Sequence, residues 1–132
     1  METLNIKELI EKYSKTGKMI MDRMEEYLLG MQKQMIEEIP EKDRETIDIP
    51  SIPPDIIHMM IEQGLSKGQN LELLFDLFDS NGVYMSIYYD KEEGEWIYLT
   101  NLNDFVSKAS SRKEGTYKCI PLAFEALENK LQ

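Results

Sequence analysis

The amino-acid sequence predicts an α+β fold with a long N-terminal helix, a small helical core, a β-hairpin and a C-terminal helix. Apolar residues recur at helical spacing over the first 39 residues. Two segments rich in aromatic and β-branched residues follow the turn signal Asn81-Gly82 and have the composition of paired strands. With 132 residues, 42% of them hydrophobic, the chain is long enough to bury one modest core.

The first predicted element extends from Asn5 to Ile39, as one helix or a helix pair. Asn5 and Glu8 have the spacing of an N-cap and its N3 partner. Apolar side chains then follow in steps of three and four residues, the heptad-like spacing of a coiled-coil seam. The predicted helix interface consists of Ile6, Ile10, Tyr13, Ile20, Met24, Tyr27 and Met31. A second copy, the rest of the chain or another protein would cover it.

The continuity of this element depends on Gly17. One straight helix over residues 5–39 would be roughly 50 Å long at 1.5 Å per residue, so it must project from the remaining chain or fold back on it. An interior glycine costs about 1 kcal/mol relative to alanine, and Thr16 is able to cap a new turn. A break near Gly17 and a continuous helix are therefore both compatible with the sequence.

The composition changes after the first element. Residues 40–54 contain four prolines and several acids with little periodicity, which predicts an extended linker. We therefore expect a helical arm over residues 1–39, an acidic proline-containing linker over 40–54, and a compact α+β unit over 55–132.

Two short helices are predicted at the start of the α+β unit. Pro54 offers the first position of a helix over residues 55–63, which Gly64 would end. Asn70 would cap a second helix over residues 71–78. Both segments have few polar positions, so we expect these helices to form the core.

A β-hairpin is predicted over residues 83–89 and 95–100, joined by a loop that contains Gly94. Pairing of Asp90 with Glu95 would place opposite each other Tyr89 and Trp96, Tyr88 and Ile97, and Ile87 and Tyr98. Both faces would then be apolar. One face can pack on the core helices, and the other needs a cover from the chain or from another molecule.

Residues 101–104 have the pattern of a helix cap, from Asn101 to Asp104. This pattern predicts a further short helix that ends at Ala109. After it we expect a polar loop over 110–116, a short strand over 117–120, and a final helix over 121–131.

Composition excludes several kinds of site and location. A single cysteine excludes an internal disulfide and a cysteine-rich zinc module. A single histidine provides too few ligands for a metal site built from histidines. No secretory signal and no stretch of ~20 apolar residues is visible, so we expect a cytoplasmic protein without a membrane partner. A net charge of −10 would repel phosphate backbones, so we expect no direct nucleic-acid binding. We also expect no bound cofactor.

Catalytic interpretations have weak support. His58 lies among five apolar residues and is more typical of a packed histidine bonded to a backbone carbonyl than of a general base. Cys119 lies in a short apolar segment and is more typical of a small core residue than of a nucleophile. The acid pairs Glu72 with Asp76 and Asp76 with Asp79 could hold Mg²⁺, but no acid-x-Lys motif follows on a predicted strand, and a solvated helix face is the more typical explanation.

The acid is concentrated in one part of the chain. Residues 1–36 are neutral, whereas residues 68–107 carry a net charge of −7. Acids mixed with exposed aromatic residues suit docking on a basic protein, because charge steers the encounter and aromatic burial supplies affinity. The predicted partner-binding residues are Tyr84, Tyr88, Asp90, Glu92, Glu93, Glu95, Trp96 and Tyr98. Ordinary solubilising charge beside a core is the alternative.

These observations favour a non-catalytic, acidic protein-binding protein. We expect an inhibitor or regulator of a basic or nucleic-acid-binding protein, a class that includes toxin-immunity proteins and phage anti-defence factors that mimic nucleic-acid charge. The first alternative is a structural or assembly protein that forms homo-oligomers through the N-terminal helix. A small metal-dependent enzyme is the second alternative.

Overall fold

A computed structural model describes residues 4–44, 52–103 and 105–132, and it confirms the α+β fold with its long N-terminal helix, β-hairpin and C-terminal helix. The three strands form one antiparallel sheet in the order β1-β2-β3. The elements in the described ranges are α1 (Ile6–Lys12), α2 (Ser14–Glu38), α3 (Glu41–Arg44), α4 (Pro54–Ser66), α5 (Leu71–Ser80), β1 (Met85–Asp90), β2 (Glu95–Thr100), β3 (Ser107–Ala109) and α6 (Arg112–Leu131).

The N-terminal element is broken at Tyr13, four residues before Gly17. Tyr13 has non-helical backbone angles, φ −110° and ψ 74°, and α2 then continues through Gly17 without interruption. A Cβ atom on Gly17 would lie 2.7 Å from the carbonyl oxygen of Ile10. The glycine therefore allows the backbone of α1 to approach α2, which is a packing role and not that of a helix breaker.

One core joins the N-terminal helices to the rest of the chain. Ile20 from α2, Phe78 from α5 and Phe124 from α6 are fully buried in the same cluster. The rings of Phe78 and Phe124 meet edge to face with their centroids 5.6 Å apart. The core is therefore larger than the two short helices expected to form it. The division into arm, linker and α+β unit stays a prediction, but core contacts cross it.

The predicted linker contains one short helix, because residues 41–44 form α3. Its residues 45–51 lie outside the described residues. The expectation of an extended chain throughout 40–54 was therefore wrong for 41–44.

The bounds and burial predicted for the first short helix were wrong. α4 begins at Pro54 as expected, but it passes through Gly64 and ends at Ser66. Its buried residues are spaced four apart and form a single stripe of Ile57, Ile61 and Leu65. The other apolar side chains, Ile56, Met59 and Met60, are exposed. Continued packing of this stripe past Gly64 outweighs the low helix propensity of glycine.

The second short helix is also longer than predicted, since α5 extends to Ser80. Asn70 precedes it with a left-handed backbone at φ 58°, and its side chain makes no capping hydrogen bond. The prediction that Asn70 caps α5 was therefore wrong. An asparagine tolerates this backbone conformation better than most residues, so it serves the turn instead.

The hairpin has the register in which Asp90 pairs with Glu95, Tyr89 with Trp96, Tyr88 with Ile97, and Ile87 with Tyr98. The sequence raised this pairing and left the register open, because apolar residues on both faces of a hairpin do not distinguish one register from another.

A third strand replaces the helix predicted over residues 101–109. Residues 101–103 form a turn and Ser107–Ala109 pair with β2. The side chain of Asn101 accepts the Tyr84 N–H at 2.8 Å and donates to the Gly82 carbonyl at 3.0 Å. Asn101 is thus used to close the base of the hairpin rather than to cap a helix. Asp104, the other end of the expected pattern, lies outside the described residues.

The C-terminal segment is one helix, so the loop predicted over 110–116 and the strand predicted over 117–120 were wrong. The Ser111 hydroxyl accepts the Glu114 N–H at 3.0 Å and caps α6. Ser111 and Glu114 have capping-box spacing, and this signal was missed. The final helix was expected to start at Pro121, but Pro121 lies inside α6. Burial of Ile120, Ala123 and Phe124 on both sides of the proline offsets its cost.

Candidate protein-binding surfaces

The two faces of the sheet have different surroundings. α6 packs on one face, where a Cβ atom on Gly115 would lie 3.3 Å from Ile87, 3.7 Å from Ala109 and 3.8 Å from Tyr98. We call this the inner face. Because side chains alternate along a strand, Tyr88, Ile97 and Lys108 lie on the opposite side, the outer face.

The outer face combines a buried aliphatic centre with exposed aromatic rings. Ile97 on the central strand is 5% exposed, whereas Tyr88 on the neighbouring strand is 49% exposed. Tyr84, which precedes β1 and bonds to Asn101 through its backbone, is 52% exposed. Exposed tyrosines beside a buried aliphatic side chain are able to contribute contact area to a partner.

The hairpin turn projects acids at one end of the sheet. The Asp90 carboxylate accepts the N–H groups of Glu92 and Glu93 at 3.0 and 3.3 Å, which shapes the turn. Gly94 supplies the positive φ of 67° that the turn requires. Glu92 and Glu93 are exposed. We call Asp90, Glu92 and Glu93 the acidic tip.

Lys108 on β3 offsets part of this charge. Its ammonium lies 3.1 Å from Glu95 and 3.9 Å from Glu93. The hydrogen bond with Glu95, followed by the charges of Glu95 and Glu93, raises the pKa of Lys108. Glu95 is therefore a paired residue on the outer face, and the acidic excess lies at the tip.

Two predicted partner-binding residues, Trp96 and Tyr98, lie on the inner face. Trp96 meets Tyr89 edge to face, with the ring centroids 5.5 Å apart, and the guanidinium of Arg112 lies 4.9 Å from its centroid. Tyr98 is half-buried near the start of α6. The fold thus places Tyr88 and Glu95 on one face near the acidic tip, leaves Tyr84 exposed at the base of the hairpin, and puts Trp96 and Tyr98 on the other face.

The predicted helix interface is divided between the core and the surface. Ile6, Ile20 and Met24 are buried in the core of the chain, and Ile10 and Tyr13 pack against it. Tyr27 and Met31 remain 45% and 44% exposed. The chain itself therefore covers the first part of the seam.

The candidate catalytic residues occupy structural positions. His58 Nε2 lies 3.2 Å from a Glu25 carboxylate oxygen and joins α4 to α2, so its expected backbone partner was wrong. Cys119 is fully buried, and its thiol donates to the Leu99 carbonyl at 3.5 Å. Burial raises the pKa of the Cys119 thiol to about 11. At neutral pH this cysteine is therefore a protonated core residue with little nucleophilic character.

The described part of the chain contains neither a cluster of metal ligands nor a membrane-spanning helix. Within 4–44, 52–103 and 105–132, no three histidine, cysteine or carboxylate side chains are grouped as they would be around a metal ion. No helix in the same part of the chain has both the length and the apolar character needed to cross a bilayer.

A groove between α2 and α5 was not predicted from the sequence. A cavity of about 430 Å³ lies between Met24 and Tyr27 on α2 and Leu73, Asp76 and Leu77 on α5. A second cavity of about 470 Å³ continues from Tyr27 toward the N-terminus of α5. The sequence predicts core positions for Leu73 and Leu77. Both lie on the same helical face as Asp76, and this combination of apolar and acidic residues on one face was the available signal for a groove wall.

Comparison with known protein families, curated proteins and solved structures found no match. The surfaces of the chain are therefore the basis for a functional proposal.

Proposed function

We propose that this protein binds a basic protein through the outer face of its sheet and its acidic tip. The observation that carries the proposal is the exposure of Tyr88 on the same face as Glu95, near Glu92 and Glu93 at the turn, with Tyr84 also exposed at the base of the hairpin. Tyrosine is prominent among interface residues that contribute strongly to binding energy. The neighbouring carboxylates would steer a basic partner and fix its orientation.

The charge of the chain supports an inhibitory or regulatory role toward a basic or nucleic-acid-binding protein. Its net charge is −10, and residues 68–107, which contain the hairpin, carry −7 of it. A surface that binds nucleic acid has an excess of basic residues, so an acidic protein competes for it electrostatically. The proposed role is that of an inhibitor or regulator, as in toxin-immunity proteins or phage anti-defence factors that mimic nucleic-acid charge.

The test compares two surfaces with equal changes of charge. A partner captured from the native host is purified, and its dissociation constant is measured at 50 and 500 mM salt. We expect Glu92→Lys with Glu93→Lys to weaken binding by at least about tenfold at low salt, and Tyr88→Ala to weaken it at both salt concentrations.

The matched control reverses Glu11 and Glu38, two exposed acids on α1 and α2. This variant has the same net charge as the hairpin variant, so it separates a local surface from a general effect of charge. The proposal would be contradicted if both double variants weakened binding equally. It would also be contradicted if the dissociation constant changed neither with salt concentration nor with either charge reversal.

We propose self-assembly through α2 as a second candidate, favoured by a separate observation. Met31 and Met35 lie one turn apart and are 44% and 64% exposed. An exposed apolar row on a helix is a potential contact for a second copy. Light scattering should detect a concentration-dependent dimer that Met31→Asp with Met35→Asp abolishes. A monomer at every concentration would remove this candidate.

A further inference from the structure

We propose that the groove between α2 and α5 receives a basic amphipathic helix of a partner protein. Its apolar lining consists of Tyr27, which is 45% exposed, and the half-buried Leu73, with the core residues Met24 and Leu77 beneath them. An amphipathic helix binds by placing its apolar stripe on such a lining, with its polar flanks at the rim. This groove is separate from the outer face of the sheet, so the present proposal is tested independently of the function proposed above.

The shape of the groove suits a short helix. α5 presents Leu73, Asp76, Leu77 and Ser80 to the cavity, at the i, i+3, i+4 and i+7 positions of one helical face. The adjoining cavity extends this wall to Asn70. From Asn70 to Ser80 the wall is roughly 15 Å long at 1.5 Å per residue, which is nearly three helical turns.

The charge of the rim selects a basic occupant. Glu26, Glu72 and Asp76 border the two cavities, and Arg23 is the single base among the side chains that line them in the described structure. Arg23 lies 4.0 Å from Glu26, which leaves Glu72 and Asp76 as the acidic excess. Lysines or arginines that flank an apolar stripe would complement these carboxylates. A second copy of the chain carries the same net charge of −10, which opposes its approach to this acidic rim.

Gly30 lines neither cavity, but it lies about one turn from Tyr27, which lines both. It lies inside α2, three residues after Tyr27 and therefore on the same side of the helix. A Cβ atom at Gly30 would meet nothing within 4 Å, so no contact within the described chain requires a glycine there. Glycine is unfavourable inside a helix, but it allows another backbone to approach closely.

The experiment uses a synthetic probe. A fluorescently labelled 14-residue peptide of leucine and lysine, with leucine at helical spacing, is titrated with the protein at 0.15 M salt and followed by anisotropy. The matched peptide has glutamate in place of lysine. We expect the basic peptide to bind, and Tyr27→Ala and Asp76→Lys each to weaken its affinity by about tenfold. Gly30→Ala should weaken binding while it raises the midpoint of thermal unfolding by a few degrees.

The controls separate this groove from a general attraction of the peptide to an acidic protein. The Glu92→Lys, Glu93→Lys variant changes more charge than Asp76→Lys, but it should alter peptide affinity by no more than about twofold at 0.15 M salt, where screening is strong. Equal weakening by the hairpin variant, or equal binding of the acidic peptide, would overturn the proposal. Loss of a dimer in Tyr27→Ala by light scattering would show that a second copy occupies the groove and would also overturn it.

Discussion

The Glu128 carboxylate caps a helix to which it does not belong. It accepts the N–H of Thr16 at 2.8 Å and that of Lys15 at 3.4 Å, at the start of α2. Tyr13, which precedes α2, provides no side-chain cap. Burial raises the pKa of Glu128, but the hydrogen bonds from Thr16 and Lys15 outweigh this effect, so its pKa is lowered. A distant carboxylate therefore performs the usual task of an N-cap residue.

The stabilisation by Glu128 should depend on pH. Because its folded pKa lies below the ordinary 4.5, the contribution is fully present above pH 4.5 and is lost as the pH falls through the folded value. Glu128→Ala should lower the free energy of unfolding by about 1 kcal/mol at pH 7. Urea unfolding of both proteins between pH 7 and pH 3 measures this difference. A difference that grows toward low pH would contradict the assignment.

Cys119 should resist alkylation in the folded protein. A pKa raised to about 11 reduces the thiolate fraction about a hundredfold relative to a cysteine of pKa 9.0, and complete burial restricts access further. Iodoacetamide labelling at pH 8, followed by mass spectrometry, should be at least about a hundredfold slower than in 6 M guanidinium chloride. Rapid labelling under native conditions would show that the thiol is exposed and ionised.

At the scale of elements, two glycines in α2 have opposite roles. A Cβ atom at Gly17 would lie 2.7 Å from the Ile10 carbonyl oxygen of α1, whereas one at Gly30 would meet open space. Gly17→Ala should therefore destabilise the protein by forcing α1 away from α2. Gly30→Ala should stabilise it by about 1 kcal/mol, the difference in helix propensity. Thermal unfolding of the two variants makes a direct comparison, and changes of the same sign would contradict it.

The hairpin was predicted well from local evidence, because its strands and its turn belong to one continuous segment. Its register was left open by apolar residues on both faces. The start of α6 had a comparable local signal in Ser111 and Glu114, which was overlooked. Residues 117–120 look like a strand in isolation, and only burial of Cys119 and Ile120 beneath neighbouring elements favours their helical form.

The candidate surface was predicted less completely than the hairpin itself. The sequence placed Tyr84, Tyr88, Trp96 and Tyr98 on one hairpin and predicted that one of its faces needs a cover. It contained no indication that α6 would take the face with Trp96 and Tyr98. Which face stays exposed depends on the packing of a helix distant in sequence, so periodicity within the strands does not determine it.

At the scale of the whole molecule, the helical arm and the α+β unit should unfold together. Ile20 on α2 is fully buried in the cluster that also contains Phe78 and Phe124. Ile20→Ala should lower the free energy of unfolding by about 2–5 kcal/mol. Circular dichroism reports on the helices, and the single tryptophan, Trp96, reports on the hairpin. In the Ile20→Ala variant, the urea midpoints measured by circular dichroism and by Trp96 should decrease by the same amount.

The control for this experiment is Met35→Ala on the same helix. Met35 is 64% exposed, so its loss should change the free energy of unfolding by no more than about 0.5 kcal/mol. If Ile20→Ala shifts the helical signal and leaves the Trp96 transition unchanged, the arm is an independent unit and the predicted division at residues 40–54 is correct.

The sequence by itself determined the α+β class, the presence of the hairpin, and the concentration of acidic residues around it. These properties depend on composition and on spacing within short segments. Tertiary structure decided the continuous helix through Pro121, the packing role of Gly17, and the groove between α2 and α5. The physical reason is that burial of a side chain depends on which distant elements pack against it, and the resulting gain outweighs local preferences of about 1 kcal/mol.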